Sequence, residues 1–173
     1  MITRNQYDEF LKNILEEIDS DWVIIGGSLL AIIHASDRST ADIDICPLHE
    51  MTNEHRLLLM NAAVRSGLPI EVINPGADFF LRQIPNWKAS LILFKSGKKG
   101  NLFRPSLELY LKLKLNRGTD TDIADCISFI IWHKKNSLEI NFEAIKNILD
   151  SYDSEKTIKI MEKIKDLYSQ SEK

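Results

Sequence analysis

The sequence predicts an α/β (α+β) fold, a mixed β-sheet flanked by helices and followed by a helical C-terminal part. Three observations predict it. Short apolar runs fall at 22–25, 40–46, 69–73, 89–94 and 102–103, bounded by glycine, proline and asparagine breaks. Helical spacing of apolar residues fills most of the intervals between them. From Ser106 onward the spacing is helical throughout, so strands come first and helices last.

Each element has its own signal. Tyr7, Phe10, Leu11, Ile14, Leu15 and Ile18 form one stripe and predict an amphipathic helix over 4–19. Trp22–Ile25 is a short, fully apolar strand. Gly26-Gly27 breaks it, and Ser28 is placed to cap a helix over 29–35. After the polar loop Asp37-Arg38-Ser39, a second strand runs from Thr40 to Cys46 and stops at Pro47. A helix follows over 52–66, with Leu58, Leu59, Ala62 and Ala63 towards the core and Gly67 as its stop. Residues 69–73 predict a third strand ended by Asn74-Pro75-Gly76, and 78–84 a short helix. Residues 89–94 and 102–103 predict strands around the turn Ser96-Gly97-Lys98. Helices are expected over 106–116, 120–134, 141–150 and 154–169. The boundary falls near Arg104-Pro105, giving a sheet domain over 1–104 and a helical segment over 105–173 packed on it as a single unit.

Bulk properties exclude several classes. With 173 residues and 44% hydrophobic content, the chain can bury a core without disulfides or a structural metal. The net charge of -3 argues against a generally basic nucleic-acid binder. Yet Lys95, Lys98, Lys99, Arg104, Lys112, Lys114 and Arg117 are interrupted only by the acid Glu108. Such a run can hold phosphates locally, or can simply be a solvated loop and helix face. Cys46 and Cys126, with the four histidines, have no zinc-ligand spacing. The polar, helical start and the lack of a long apolar run predict a cytoplasmic, reduced protein with no membrane association.

The chemistry concentrates in GGSLLAIIHASDRSTADIDI, Gly26 to Ile45. Asp42 and Asp44 are two apart in a strand, so both carboxylates face one side. Unpaired at about 4 Å they repel by about 1–4 kcal/mol, which a divalent cation reverses. An exposed strand face is the alternative. Gly26, Gly27 and Ser28 form a strand-to-helix turn that can seat a phosphate, or merely a tight turn. Glu71 interrupts the third strand, and beside the second it completes a three-carboxylate cluster; on an edge it faces outward. Asp122 and Asp125 share a helix face one turn apart, with Lys114 in the preceding helix. Lys114 can neutralise a phosphate, and Asp122 can equally be an acid at a helix N-terminus.

Gly26-Gly27-Ser28 followed by Arg38-Ser-Thr40-Ala-Asp42-Ile-Asp44-Ile resembles the signature of the polymerase-beta-like nucleotidyltransferase superfamily. The run Lys114-Leu-Asn-Arg117-Gly-Thr-Asp-Thr-Asp122-Ile-Ala-Asp125 is similar to a second motif, found in small prokaryotic members related to abortive-infection toxins. Together they span Trp22 to Phe129. The resemblance implies the nucleotidyltransferase fold, with Asp42, Asp44 and Glu71 as ligands of Mg²⁺ (or Mn²⁺) and Glu71 also as general base. It implies Lys114 as a further catalytic residue on the nucleotide phosphates. Gly26, Gly27, Ser28, Arg38, Thr40, Asp122 and Asp125 would bind the nucleotide or support the site. Glu71 stands where Asp is common, Arg117 is displaced from its usual position, and Ala35 replaces a common glycine.

The expected function is Mg²⁺-dependent transfer of a nucleoside monophosphate from a nucleoside triphosphate to a hydroxyl of RNA, protein or a small molecule. Expected partners are the triphosphate, tRNA or another RNA or a protein acceptor, and a cognate partner in a toxin–antitoxin setting. The competing reading is a catalytically inactive nucleotidyltransferase-like binding or antitoxin module. Another phosphate-handling enzyme fits less well: the chain is short for a sugar-nucleotide glycosyltransferase. An Asp-nucleophile phosphohydrolase wants Gly and Thr after the acids, where Cys46-Pro47 stands.

Overall fold

The computed structural model describes residues 2–36, 40–74, 76–152 and 154–168. The chain divides into two compact units, Met1–Ser106 and Leu107–Lys173. The first carries a mixed four-stranded sheet with helices and the second is wholly helical, an α+β architecture.

In the first unit, helix α1 (Arg4–Glu17) begins at a Thr3/Gln6 capping box and buries the apolar stripe Tyr7, Phe10, Leu11, Ile14 and Leu15. Strand β1 (Trp22–Ile24) is buried at every residue, as its continuous apolar run requires. Helix α2 (Gly26–Ile32) follows at once. Strand β2 (Ile45–Pro47) pairs antiparallel with β1, Val23 opposite Cys46 and Ile24 opposite Ile45. Helix α3 (Asn53–Arg65) starts at a Thr52/His55 capping box and packs on α1, where the Asn13 side-chain amide donates to Ser66 Oγ at 3.0 Å. Helix α4 (Ala77–Arg82) packs on β2. Strands β3 (Leu91–Ser96) and β4 (Asn101–Pro105) form a hairpin, and β4 runs parallel to β1. The order β2-β1-β4-β3 leaves β2 and β3 at the edges. A side chain at Gly97 would collide with the Leu15 carbonyl, so the hairpin turn seats closely on the end of α1.

The second unit contains α5 (Leu107–Leu115), α6 (Asp120–Lys135), α7 (Phe142–Asp150) and α8 (Ser154–Tyr168). Its core joins Tyr110, Leu111, Cys126, Phe129, Ile130, Ile145 and Ile160, with the Tyr110 and Phe129 rings 4.6 Å apart. Both cysteines are buried, free thiols, and desolvation raises the pKa of each. No helix among the described residues is long and apolar enough to cross a membrane.

Three local readings change. The expected strand over 40–46 is shorter: Asp42 lies in a bend, Ile43 makes an isolated parallel bridge to Ile73, and β2 proper begins at Ile45. Pro47 closes that strand inside it, opposite Trp22, which an edge position tolerates. The expected third strand is a 3₁₀ turn, Ile70–Val72, because Val72 N–H bonds Pro69 O and Ile73 N–H bonds Ile70 O. Those local bonds take the amides a longer ladder needs. Finally, Ser28 lies inside α2 rather than at its cap; Ile25 is the cap residue and Leu58 is only half-buried.

Candidate active site

The β1-to-α2 connection places the glycine turn against the acid pair. Ile25 N–H donates to Asp44 O at 2.9 Å, extending the β1–β2 pairing by one residue. The next residue, Gly26, has φ +64°, and a Cβ there would overlap the Asp44 carboxylate. Only glycine lets the backbone turn and the carboxylate share that space. Gly27 follows in the first turn of α2.

Ser28 fixes the acids from below. Fully buried, its hydroxyl donates to Asp42 O at 2.8 Å and accepts Asp44 N–H at 2.8 Å. One side chain therefore sets the backbone on both sides of Ile43. Thr40 Oγ1 adds a second donor to Asp42 O at 3.1 Å. Ser28 and Thr40, expected to bind nucleotide, thus direct their hydroxyls to the loop that carries the acids. Asp42 is exposed, Asp44 is half-buried, and Ile43 between them is buried against Ile73.

Two neighbours were not legible as site residues. The Asn74 side-chain Nδ2 donates to Asp44 Oδ1 at 2.7 Å, while Asn74 Oδ1 accepts Gly76 N–H at 3.0 Å. In sequence, Asn74 reads as part of an Asn-Pro-Gly stop. The bridge at Ile43 and Ile73 supplies the missing signal, since residues flanking bridge partners face the same side of a sheet. Tyr7 reads as one member of the α1 apolar stripe. Its hydroxyl lies beside Ser28, is buried, and has no hydrogen-bond partner among the described residues. Burial pushes this phenol up to about 12; the Ser28 hydroxyl opposes that, and the charges of Asp44 and Asp42 add to it.

Glu71 does not join Asp42 and Asp44 as the third acid. It stands exposed on the 3₁₀ turn, where a solvated carboxylate carries no burial cost. Among the described residues no three Asp, Glu, His or Cys side chains form a group that could hold a metal. Arg38 lies outside the described residues.

Lys114, Asp122 and Asp125 belong to the second unit and form a separate buried network. Lys114 is 6% exposed; its ammonium donates to Asp125 Oδ2 at 2.6 Å and to Asp122 Oδ1 at 3.4 Å. Arg117 forks onto Asp122, Nε to Oδ2 at 2.8 Å and Nη2 to Oδ1 at 2.6 Å. Thr119 caps α6, its N–H and hydroxyl donating to Asp122 Oδ2 at 3.1 and 2.7 Å. Burial alone would raise the Asp122 pKa, but the bonds from Arg117 and Thr119 and the charge of Lys114 hold it well below the carboxylate range. The side chains expected to contact nucleotide here are engaged with one another.

The basic run does not form a continuous surface. Arg104 is buried with its guanidinium donating to Pro105 O, and Lys114 and Arg117 serve the network above. Lys95, Lys98 and Lys99 remain exposed on β3 and its turn, Lys98 paired with Glu16.

No curated protein and no solved structure matches the chain. A family model does, over residues 5–172, and it is described as a nucleotidyltransferase of unknown function, DUF6036. A glycine turn locked onto an Asp-x-Asp segment is what that description requires of the first unit, and the match covers nearly the whole chain: the protein belongs to this nucleotidyltransferase family.

Proposed function

We propose that the chain transfers a nucleoside monophosphate from a nucleoside triphosphate to an acceptor hydroxyl, with Mg²⁺ (or Mn²⁺) at Asp42 and Asp44. Family membership supports the reaction class. The observation that carries the site is Ser28: its hydroxyl bonds the backbone of both acids, while the Asp44 carboxylate fills the space above Gly26. The donor set fits a hard divalent ion, being two oxygen-bearing anions of which one is exposed and one half-open. A bound cation would supply charge neutralisation for the triphosphate.

The chain's residues do the positioning. Ser28 and Thr40 hold the Asp42 carbonyl, so the bend that presents the carboxylate outward is fixed. Asn74 and the Gly26 turn hold Asp44. In the transfer, the acceptor oxygen bonds the α-phosphorus, the bond to the β-phosphate bridging oxygen breaks, and pyrophosphate departs. The acceptor's proton goes to water. RNA, protein and small-molecule acceptors all suit this chemistry, and a toxin–antitoxin setting is part of the same proposal.

A second reading, an inactive nucleotide-binding or antitoxin module, is favoured by the placement of Glu71 apart from the acid pair. One screen separates the two. The four labelled nucleoside triphosphates are incubated with the protein, Mg²⁺ and cell extract. Transfer of label that needs Mg²⁺ and falls at least a hundredfold in Asp42→Asn supports the enzyme; nucleotide binding with no transfer supports the module.

A further inference from the structure

We propose that Asn74 takes the structural place of a third acid, and that this site accordingly holds one divalent cation rather than two. The inference rests on the metal site proposed above. It begins with parity. Ile43 and Ile73 are parallel bridge partners, and both are buried. Side chains alternate along extended chain, so Asp42 and Asp44 lie on the side opposite Ile43, and residue 74 lies on that same side. Glu71 is out of step by one residue as well as exposed. The side chain that meets Asp44 is therefore that of Asn74.

The amide orientation is fixed by its neighbours. Asn74 Oδ1 accepts a backbone N–H from Gly76, which only an oxygen can do, so Nδ2 points to Asp44 Oδ1. The one oxygen that could ligate a cation is thus directed at Gly76, and a donor is directed at Asp44. Asn74 acts as a positioning residue, and it brings no charge. Asp42 and Asp44 contribute two negative charges, matched by one divalent ion; a second would find no further carboxylate in the group.

An independent feature points to a bound species. The Tyr7 hydroxyl is a donor, 5% exposed as a residue, beside Ser28 and in the field of both acids, and no described residue accepts its proton. A buried hydroxyl without a partner costs about 1–3 kcal/mol, which an oxygen atom brought in with a hydrated cation would relieve.

The test counts Mn²⁺ bound to the full chain by electron paramagnetic resonance, without nucleotide, on variants whose melting curves show a folded protein. The expected result is one equivalent for the native protein and none for Asp42→Asn. Asn74→Asp should bind two equivalents and show the dipolar broadening of a metal pair, which a purely structural role would not create. Asn74→Ala should keep one equivalent at about tenfold weaker affinity, because Asp44 loses its orienting donor. Two equivalents in the native protein, or one in Asn74→Asp, would overturn the inference. One bound ion with no nucleotidyl transfer would sink the enzymatic reading and leave this one standing; no bound ion at all would sink both the metal site and this inference.

Discussion

At the scale of single residues, the acid pair depends on two small side chains. Gly26 adopts a left-handed backbone conformation and cedes its side-chain space to Asp44. Gly26→Ala therefore meets a backbone penalty and a steric one together. It should destabilise the protein by about 1–3 kcal/mol and displace Asp44, so that transfer is lost more than the drop in melting temperature explains. Ser28→Ala leaves the Asp44 N–H and the Asp42 carbonyl without the hydroxyl that joins them. The expected cost is about 1–3 kcal/mol in denaturant unfolding, with a lower turnover and little change in KM if its role is to aim the acids. A normal turnover in Ser28→Ala would remove that role.

At the scale of elements, the α5–α6 junction is held by charge rather than by apolar packing alone. Lys114→Met strands Asp122 and Asp125 in the interior, and the expected loss is about 3–5 kcal/mol of stability by thermal or denaturant unfolding. The same network predicts an acid response. Asp122 has a folded pKa below its unfolded value near 3.9, so it binds fewer protons folded than unfolded. Its contribution is present at neutral pH and is lost as pH falls through about 5 and below. Asp122→Asn should thus be less stable at pH 7 and lose less on acidification; equal acid slopes for the two proteins would contradict the assignment.

The elements also show what sequence can reveal. Helical stripes and glycine breaks announced α1, the β1-to-α2 turn and the four C-terminal helices, because periodicity and caps are local. The Asp-x-Asp spacing was legible for the same reason. The turn at Ile70–Val72 was not: a β-rich run beginning at a proline satisfied its amides locally. Asn74 and Tyr7 were not legible because their roles come from residues 30 and 37 positions away, Asp44 for one and its near neighbours for the other. Lys114, Asp122 and Asp125 have the residue types of a phosphate site, and spacing alone cannot distinguish this from a closed ion network.

At the scale of the whole molecule, charge is separated between surface and interior. With a net charge of -3, only local lysines such as Lys98 and Lys99 can attract a phosphate-rich acceptor. Reversal of both to Glu should weaken RNA association and flatten its salt dependence; unchanged binding across salt concentrations would rule out this surface as the RNA contact. The central claim concerns which phosphorus is attacked, and one comparison tests it most directly. The protein is incubated with Mg²⁺ and cell extract, using nucleoside triphosphate labelled at either the α- or the γ-phosphate. Nucleotidyl transfer predicts acceptor labelling from the α-label alone, and none from either in Asp42→Asn. Acceptor labelling from the γ-phosphate, or α-labelling that survives Asp42→Asn, would contradict the account.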